Sequence, residues 1–313
     1  MKYSQPAVIK VQVDFKQDII VKDYTAKLVK SILIMGNPKL KEIFSKGKDL
    51  PPKPIHITPL YVESEHGIKA VYTKMIPKGS TARPPKFDEL KSTKIKAEKK
   101  YFFYIGISLS LLKDVLLGLS NIGRFQFGKE IVDIDSIGYE IEYIDMEKES
   151  ERVRKVLETE AGKSLKITFM SPTLLKDPLT IMRKKKKKLL LPLPEAIFCI
   201  PFFMILLDKG RLRRSIFLRC MRYVKSVFDI PYTALKTVNL AWYVYNNEVL
   251  PAMVGYVKYF IDKEVLRHAQ HIMEMKYGLD FIELLSKVIV LAQVYGVGDG
   301  RATGFGHISI EIK

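Results

Sequence analysis

Lys27 and Lys30 stand one helical turn apart, and a third lysine, Lys53, follows in the next loop. On a helix such a pair points from one face. Two neighbouring ammoniums raise the cost of charging both, so one pKa should fall. A lysine with a depressed pKa can act as base or acid, while neighbouring ammoniums stabilise negative charge. Spacing alone does not separate this from a solvated face in a lysine-rich chain. His56 is a spare base three residues after Lys53, although in an expected strand a structural histidine is the simpler reading. His66 precedes a glycine turn and reads as surface, and His307 reads as packing. Glu264, His268 and His271 share a helical face but make an incomplete metal-ligand set.

Two further groups suit an anionic partner. The run Lys184, Lys185, Lys186, Lys187 and Lys188 and the cluster Arg211, Arg213, Arg214 and Arg219 lie in the same half of the chain. Phosphate attraction explains such groups without sequence reading, and an arginine can also clamp a phosphate or stack on a base. A solubilising charge run explains the lysines equally well. The second group is the loop Gly296-Val-Gly298-Asp-Gly300-Arg301-Ala-Thr-Gly304-Phe-Gly306. It runs from a helix into the last strand, whereas a dinucleotide fingerprint runs from a strand into a helix. Such glycines let a backbone approach another chain closely, with Arg301 as a cation beside them; a tight connection is the alternative.

The elements that position these residues come in one order, twice. Ile9, Val11, Val13 and Phe15 alternate as a strand, and a helix over 24–35 stops at Gly36-Asn37-Pro38. Strands follow near 55–62 and 68–74, then a polar stretch to Lys100, a strand at 101–107, a helix with Leu112, Val115, Leu116 and Leu119, and a strand at 137–143. That is the ferredoxin-like order. After a charged linker, 148–163, the pattern restarts at Leu165 and ends at Ile312. The expected fold is α+β, two tandem ferredoxin-like (RRM-like) domains at 1–147 and 164–313. Phe102, Phe103 and Tyr104 are contiguous, so core packing is expected rather than an RNA-stacking platform.

The chain has 313 residues, 47% hydrophobic and 27% charged, ordinary for a folded protein; its net charge of +18, from 52 Lys+Arg against 34 Asp+Glu, is not. Such an excess favours nucleic acid or an anionic membrane surface. The apolar stretch 189–207 is broken by Pro192, Pro194 and Pro201 and holds Glu195. Its helical part is too short for a bilayer and reads as a buried core helix with proline in its first turn. Cys199 and Cys220 lack metal-ligand spacing and read as buried thiols. With an N-terminus that alternates like a strand, a cytoplasmic location is expected.

GVGDGRATGFGHISI closely resembles the C-terminal glycine-rich loop of the RAMP superfamily of CRISPR-associated proteins. Within it, the match is best to the repeat-cleaving endoribonuclease that matures CRISPR RNA. ITFMSPTLLK and MVGYVKYF resemble strands of the family's second domain, and NPKLKEIFSKGKDLPPKPIHITPL resembles the segment after the first helix in archaeal members. The resemblance implies two ferredoxin-like domains that bind repeat RNA along a basic face. It implies a cleavage without metal or other cofactor, in which the substrate's 2′-hydroxyl attacks the adjacent phosphate and leaves a cyclic phosphate and a 5′-hydroxyl.

The same matching puts Lys30 at a catalytic position of the first helix and Lys53 at a family lysine. It puts Ser45 where many members carry a histidine base, a departure that leaves either no conventional base or another residue in the role. Expected partners are CRISPR repeat RNA, with effector-complex subunits or a second copy as further possibilities, and no membrane. The competing reading is a non-catalytic RAMP RNA-binding subunit of an effector complex, which would share fold and glycine loop.

Overall fold

The computed structural model describes residues 3, 5–45, 51–65, 67–75, 84–90, 92–159, 163–179, 188–230 and 236–313. The first half begins with β1 (Pro6–Phe15) and β2 (Ile19–Val21). Helix α1 (Ala26–Gly36) buries Leu28, Val29, Ile32 and Leu33 on one face and stops where Asn37, held extended before Pro38, takes the C-cap. A short α2 (Leu40–Ser45) follows, then β3 (Ile55–Ile57), β4 (Tyr61–Ser64), β5 (Gly67–Ala70) and β6 (Lys74–Met75). Next come β7 (Thr93–Ile95), β8 (Tyr101–Ser108) and α3 (Leu112–Ser120). The hairpin β9 (Arg124–Phe127) and β10 (Glu130–Tyr143) completes the sheet, in the order β5-β4-β8-β1-β10-β9 with β3 also on β8. The last strand thus starts seven residues before the alternation of Ile137–Tyr143 announces it.

The charged stretch expected as linker is largely α4 (Met146–Glu158), capped by Asp145, whose carboxylate accepts from the Glu147 and Lys148 amides. Its Met146 and Leu157 join the second core. The second half runs through β11 (Ser164–Thr173), β12 (Leu175–Lys176), β13 (Lys188–Leu189), α5 (Pro194–Ile197), α6 (Cys199–Asp208) and α7 (Arg214–Val227). It continues with β14 (Phe228–Asp229), β15 (Val238–Tyr245), β16 (Glu248–Ile261), α8 (Lys263–Tyr277), α9 (Phe281–Tyr295) and β17 (Ile308–Ile312). The sheet order is β17-β11-β16-β15-β6. The apolar stretch after the lysine run is buried in this core, with Pro194 in the first turn of α5 and both cysteines fully enclosed. Among the described residues no helix is long and apolar enough to cross a membrane.

The two halves interlock. Strand β6, from the first half, pairs with β15 of the second through Trp242–Met75. Each half has its own core, and a third small cluster (Tyr24, Ala26, Leu174, Tyr243, Ala252 and Phe305) lies where they meet. That junction is the start of α1, the helix carrying Lys27 and Lys30.

Candidate functional site

Three lysines converge around the first turns of α1. Lys27 Nζ pairs with Asp23 Oδ2 at 2.5 Å, a carboxylate one turn back that the sequence reading did not pick out. The same ammonium lies 5.7 Å from the Tyr245 ring of the second domain. Lys30 Nζ sits 5.3 Å over the Phe44 ring, and Lys53 Nζ donates to the Phe44 carbonyl at 2.5 Å. Phe44 therefore meets both amines, one at its ring and one at its carbonyl. Burial pushes the Lys30 pKa below its ordinary value, and the charge of Lys27 pushes it further the same way. Lys53 is lowered too, by burial first, then by Lys30 and by Arg301. The fall expected for one of the Lys27–Lys30 pair is found at Lys30, with burial rather than repulsion as its main cause.

Ser45 adjoins this cluster through Phe44, but its hydroxyl donates back to the Lys41 carbonyl at 2.5 Å, closing its own helix turn. His56 departs from its candidacy as a base. It is buried, its Nδ1 meets the Arg301 carbonyl at 2.9 Å and its Nε2 meets His307 Nδ1 at 3.4 Å. Burial holds its pKa well below the usual imidazole range, so it stays neutral inside the protein. His307 stacks on Tyr104 with ring centroids 5.6 Å apart, and burial lowers its pKa to about 4. Among the described residues no three His, Cys, Asp or Glu side chains gather where they could hold a metal ion.

The glycine loop requires a correction. Gly298, Gly300, Gly304 and Gly306 were expected to line an RNA surface; the loop instead threads between the domains. A Cβ on Gly304, whose φ is +96°, would lie 2.1 Å from the Ala26 Cβ, and one on Gly298 would lie 2.1 Å from the Leu174 carbonyl oxygen. The chain these glycines let approach is their own. Phe305 stacks on Tyr24 at 4.7 Å, and the Tyr24 hydroxyl donates to the Gly304 carbonyl at 2.8 Å. The loop thus seats the first turn of α1. Arg301 also departs from expectation: its guanidinium is buried and donates to the Tyr295 carbonyl at 2.8 Å and the Lys53 carbonyl at 3.3 Å. Burial lowers its pKa to about 10, so it remains charged at neutral pH. Its charge reaches the site indirectly, by lowering Lys53.

Arg211, Arg213 and Arg214 are exposed at the start of α7, and none forms an ion pair with a described residue. Lys184, Lys185, Lys186 and Lys187 lie outside the described residues, as does His66. A second basic surface escaped the sequence reading. On the open face of the second sheet, Tyr256, Lys258 and Phe260 alternate outward along β16, with Tyr256 41% and Phe260 50% exposed. Lys166 of β11 lies 5.3 Å from the Tyr256 ring and Lys258 lies 5.9 Å from the Phe260 ring. Period two against buried Val257 and Tyr259 is the signal that marks them. On the first sheet Phe102 turns to the face opposite Phe103 and is buried under Lys10, 5.2 Å away, at the wall of a cleft of about 350 Å³ also lined by Lys99 and Lys100.

Residues 7–80 match the family model of the Cas6 N-terminal domain. No curated protein matches the sequence. Among solved structures the chain resembles a Cas6 product complex (TM-score 0.58, 12% identity, 98% of this chain and 100% of that one). It also resembles Thermus thermophilus Cas6 (0.54, 12%, 98% and 99%) and the product of a Cas6-related gene from Pyrococcus furiosus (0.51, 10%, 98% of both). At these identities the likeness is one of fold. Over almost all of its length the chain has the double ferredoxin-like fold seen in these Cas6 structures, and its residues 7–80 match the Cas6 N-terminal domain.

Proposed function

We propose that this chain is an endoribonuclease that cuts CRISPR repeat RNA without a metal, using lysines where relatives use histidine. The observation that carries the reading is the meeting of Lys30 and Lys53, both lowered in pKa, around Phe44. A neutral amine of this pair takes the proton of the 2′-hydroxyl. The oxygen attacks the adjacent phosphorus, and the P–O5′ bond breaks. A neighbouring ammonium gives its proton to the leaving 5′-oxygen, and the charged amines stabilise the phosphorane between the two steps. The products are a cyclic phosphate and a 5′-hydroxyl. The RNA tracks the exposed arginines of α7, and single-stranded bases stack on Tyr256 and Phe260.

One observation favours the second reading, a RAMP subunit that binds RNA without cutting it: neither Ser45 nor His56 offers a free base. Repeat RNA incubated with the protein in excess chelator separates the two. Cleavage is expected, and a single 2′-deoxy nucleotide at the scissile position should abolish it. Binding with no cleavage under any condition leaves only the second reading.

The pH profile tests the lysine chemistry. The neutral amine needed as base grows as pH rises, so the single-turnover rate should climb along a limb whose midpoint lies below 10.5, the unshifted lysine value. Lys27→Gln removes a charge that lowers Lys30, so the midpoint should move to higher pH. A profile flat in pH, or unmoved by Lys27→Gln, would contradict an amine base at Lys30. For binding, Arg213→Gln with Arg214→Gln should weaken RNA affinity and reduce the slope of log K against log[salt] by about 1.5, leaving the cleavage rate of bound RNA unchanged. An unchanged slope would place the phosphates elsewhere.

A further inference from the structure

Strand β10 is paired along only part of its outer edge. Residues 130–133 pair with β9, while 134–143 pair with β1 on the other side and, among the described residues, with no strand on the outer one. The Ile144 amide donates to the Pro6 carbonyl. In an antiparallel ladder the bonding direction alternates, so the backbone groups of Ile137, Tyr139, Ile141 and Tyr143 point away from β1. The flanking side chains are unusually bare: Tyr139 is 44% and Tyr143 63% exposed, on the same face as the core residues Ile9, Val11 and Val13. An open edge of this length is a template for another strand unless something covers it.

The sequence of the edge says what covers it. Ile134-Asp-Ser-Ile137-Gly-Tyr139-Glu-Ile141-Glu-Tyr-Ile144 places its isoleucines symmetrically about Tyr139. We propose that two copies of this chain pair antiparallel through β10, with a two-fold axis at Tyr139. In that register Tyr139 faces its counterpart, Ile137 faces Ile141, Glu140 faces Gly138 and Glu142 faces Ser136. Every outward-pointing backbone group from 137 to 141 meets a partner, about six hydrogen bonds in all. Two-fold symmetry makes each contact occur twice. No like charges stand opposite one another. Centring the axis on Glu140 or Ile141 instead sets glutamate against glutamate, which is destabilising. Centring it nearer residue 134 runs the partner into the segment that β9 occupies. The two sheets would then join into one, and the bare Tyr139 rings would cover each other. The inference is independent of whether the chain cuts RNA.

The test uses RNA-free full-length protein in high salt, followed by sedimentation velocity over a range of concentrations. A reversible dimer is expected. Gly138 is exposed, with only the Gln12 side chain, at 4.0 Å, within reach of an added Cβ. Gly138→Lys would stand opposite Glu140 of the second copy and should tighten the dimer by about fivefold; Gly138→Glu should loosen it by about as much. Tyr139→Cys should cross-link with a short bis-maleimide, since facing Cα atoms in such a pair are about 5.5 Å apart. Thermal melts of the variants guard against misfolding. A protein that stays monomeric at all concentrations overturns the proposal. So does a dimer on which both Gly138 substitutions act in the same direction, or one in which Tyr139→Cys does not cross-link.

Discussion

Replacing Lys27 and Lys30 together with alanine should slow cleavage of bound repeat RNA by about a thousandfold or more, while changing RNA affinity by less than about tenfold. The size follows from what the two amines do. Loss of a general base or acid typically costs about 10² to 10⁴ in rate, and loss of a charge aimed at a phosphorane costs about as much again. The affinity change is small because two of many cations are removed from a chain with 52 Lys and Arg. The lysines also differ from one another. Lys27 is tied to Asp23 and faces Tyr245, so its contribution is to hold charge at the junction and lower Lys30. Lys30 has no carboxylate on it among the described residues and is half-buried against Phe44. Lys30→Ala alone should therefore cost more rate than Lys27→Ala alone. Single-turnover kinetics beside filter binding reads both quantities. Parallel losses of rate and affinity would reduce these lysines to ordinary phosphate contacts.

The order of elements was legible because each core strand alternates and each core helix buries a continuous face. Ile9, Val11 and Val13 needed no structure to be placed, nor did the helix that ends at Asn37-Pro38. What alternation does not carry is which surface an element meets. The hairpin arm β9 and the first half of β10 escaped notice because Asp133, Asp135 and Ser136 interrupt the apolar pattern there. The pairing of β6 with β15 joins two residues to a strand some 170 positions later, and nothing local in Lys74–Met75 announces it. In the site, the spacing of Lys27 and Lys30 was visible, and their closeness to Lys53 followed from the family likeness. Asp23 went unnoticed because a carboxylate one turn before a lysine is common on any helix. Arg301 and the glycines were misread for a simpler reason. A glycine-rich loop with an arginine has the same composition whether it cradles a foreign phosphate or its own helix, and only burial separates the two. The exposed pair Tyr256 and Phe260 was readable in principle from period two, yet Val257 and Tyr259 made the whole segment look like core.

That second meaning of the loop gives the other large effect. Gly304→Ala should both destabilise the protein, by about 3 kcal/mol, and slow cleavage at least about a hundredfold at temperatures where it is still folded. The residue has a φ of +96°, disfavoured for any L side chain, and its added methyl would stand 2.1 Å from the Ala26 Cβ and 2.9 Å from the Tyr24 ring. Relief requires the loop and the start of α1 to separate. The Tyr24–Phe305 stack and the hydrogen bond from Tyr24 to the Gly304 carbonyl would open with them. Lys27 lies one residue beyond Ala26, so a shift of this turn moves its ammonium away from Tyr245 and changes the spacing of Lys30 to Lys53. A displacement of about 1 Å is enough to cost a hundredfold in a reaction that depends on placement. The double variant Gly304→Ala with Ala26→Gly isolates the cause. It removes the clash with the helix but keeps the backbone strain, so the rate should recover more completely than the stability. Urea unfolding beside single-turnover cleavage makes the comparison. If Gly304→Ala loses stability yet cleaves at the full rate while folded, the loop holds the domains together without placing the lysines, and the amine cluster owes its geometry to α1 alone.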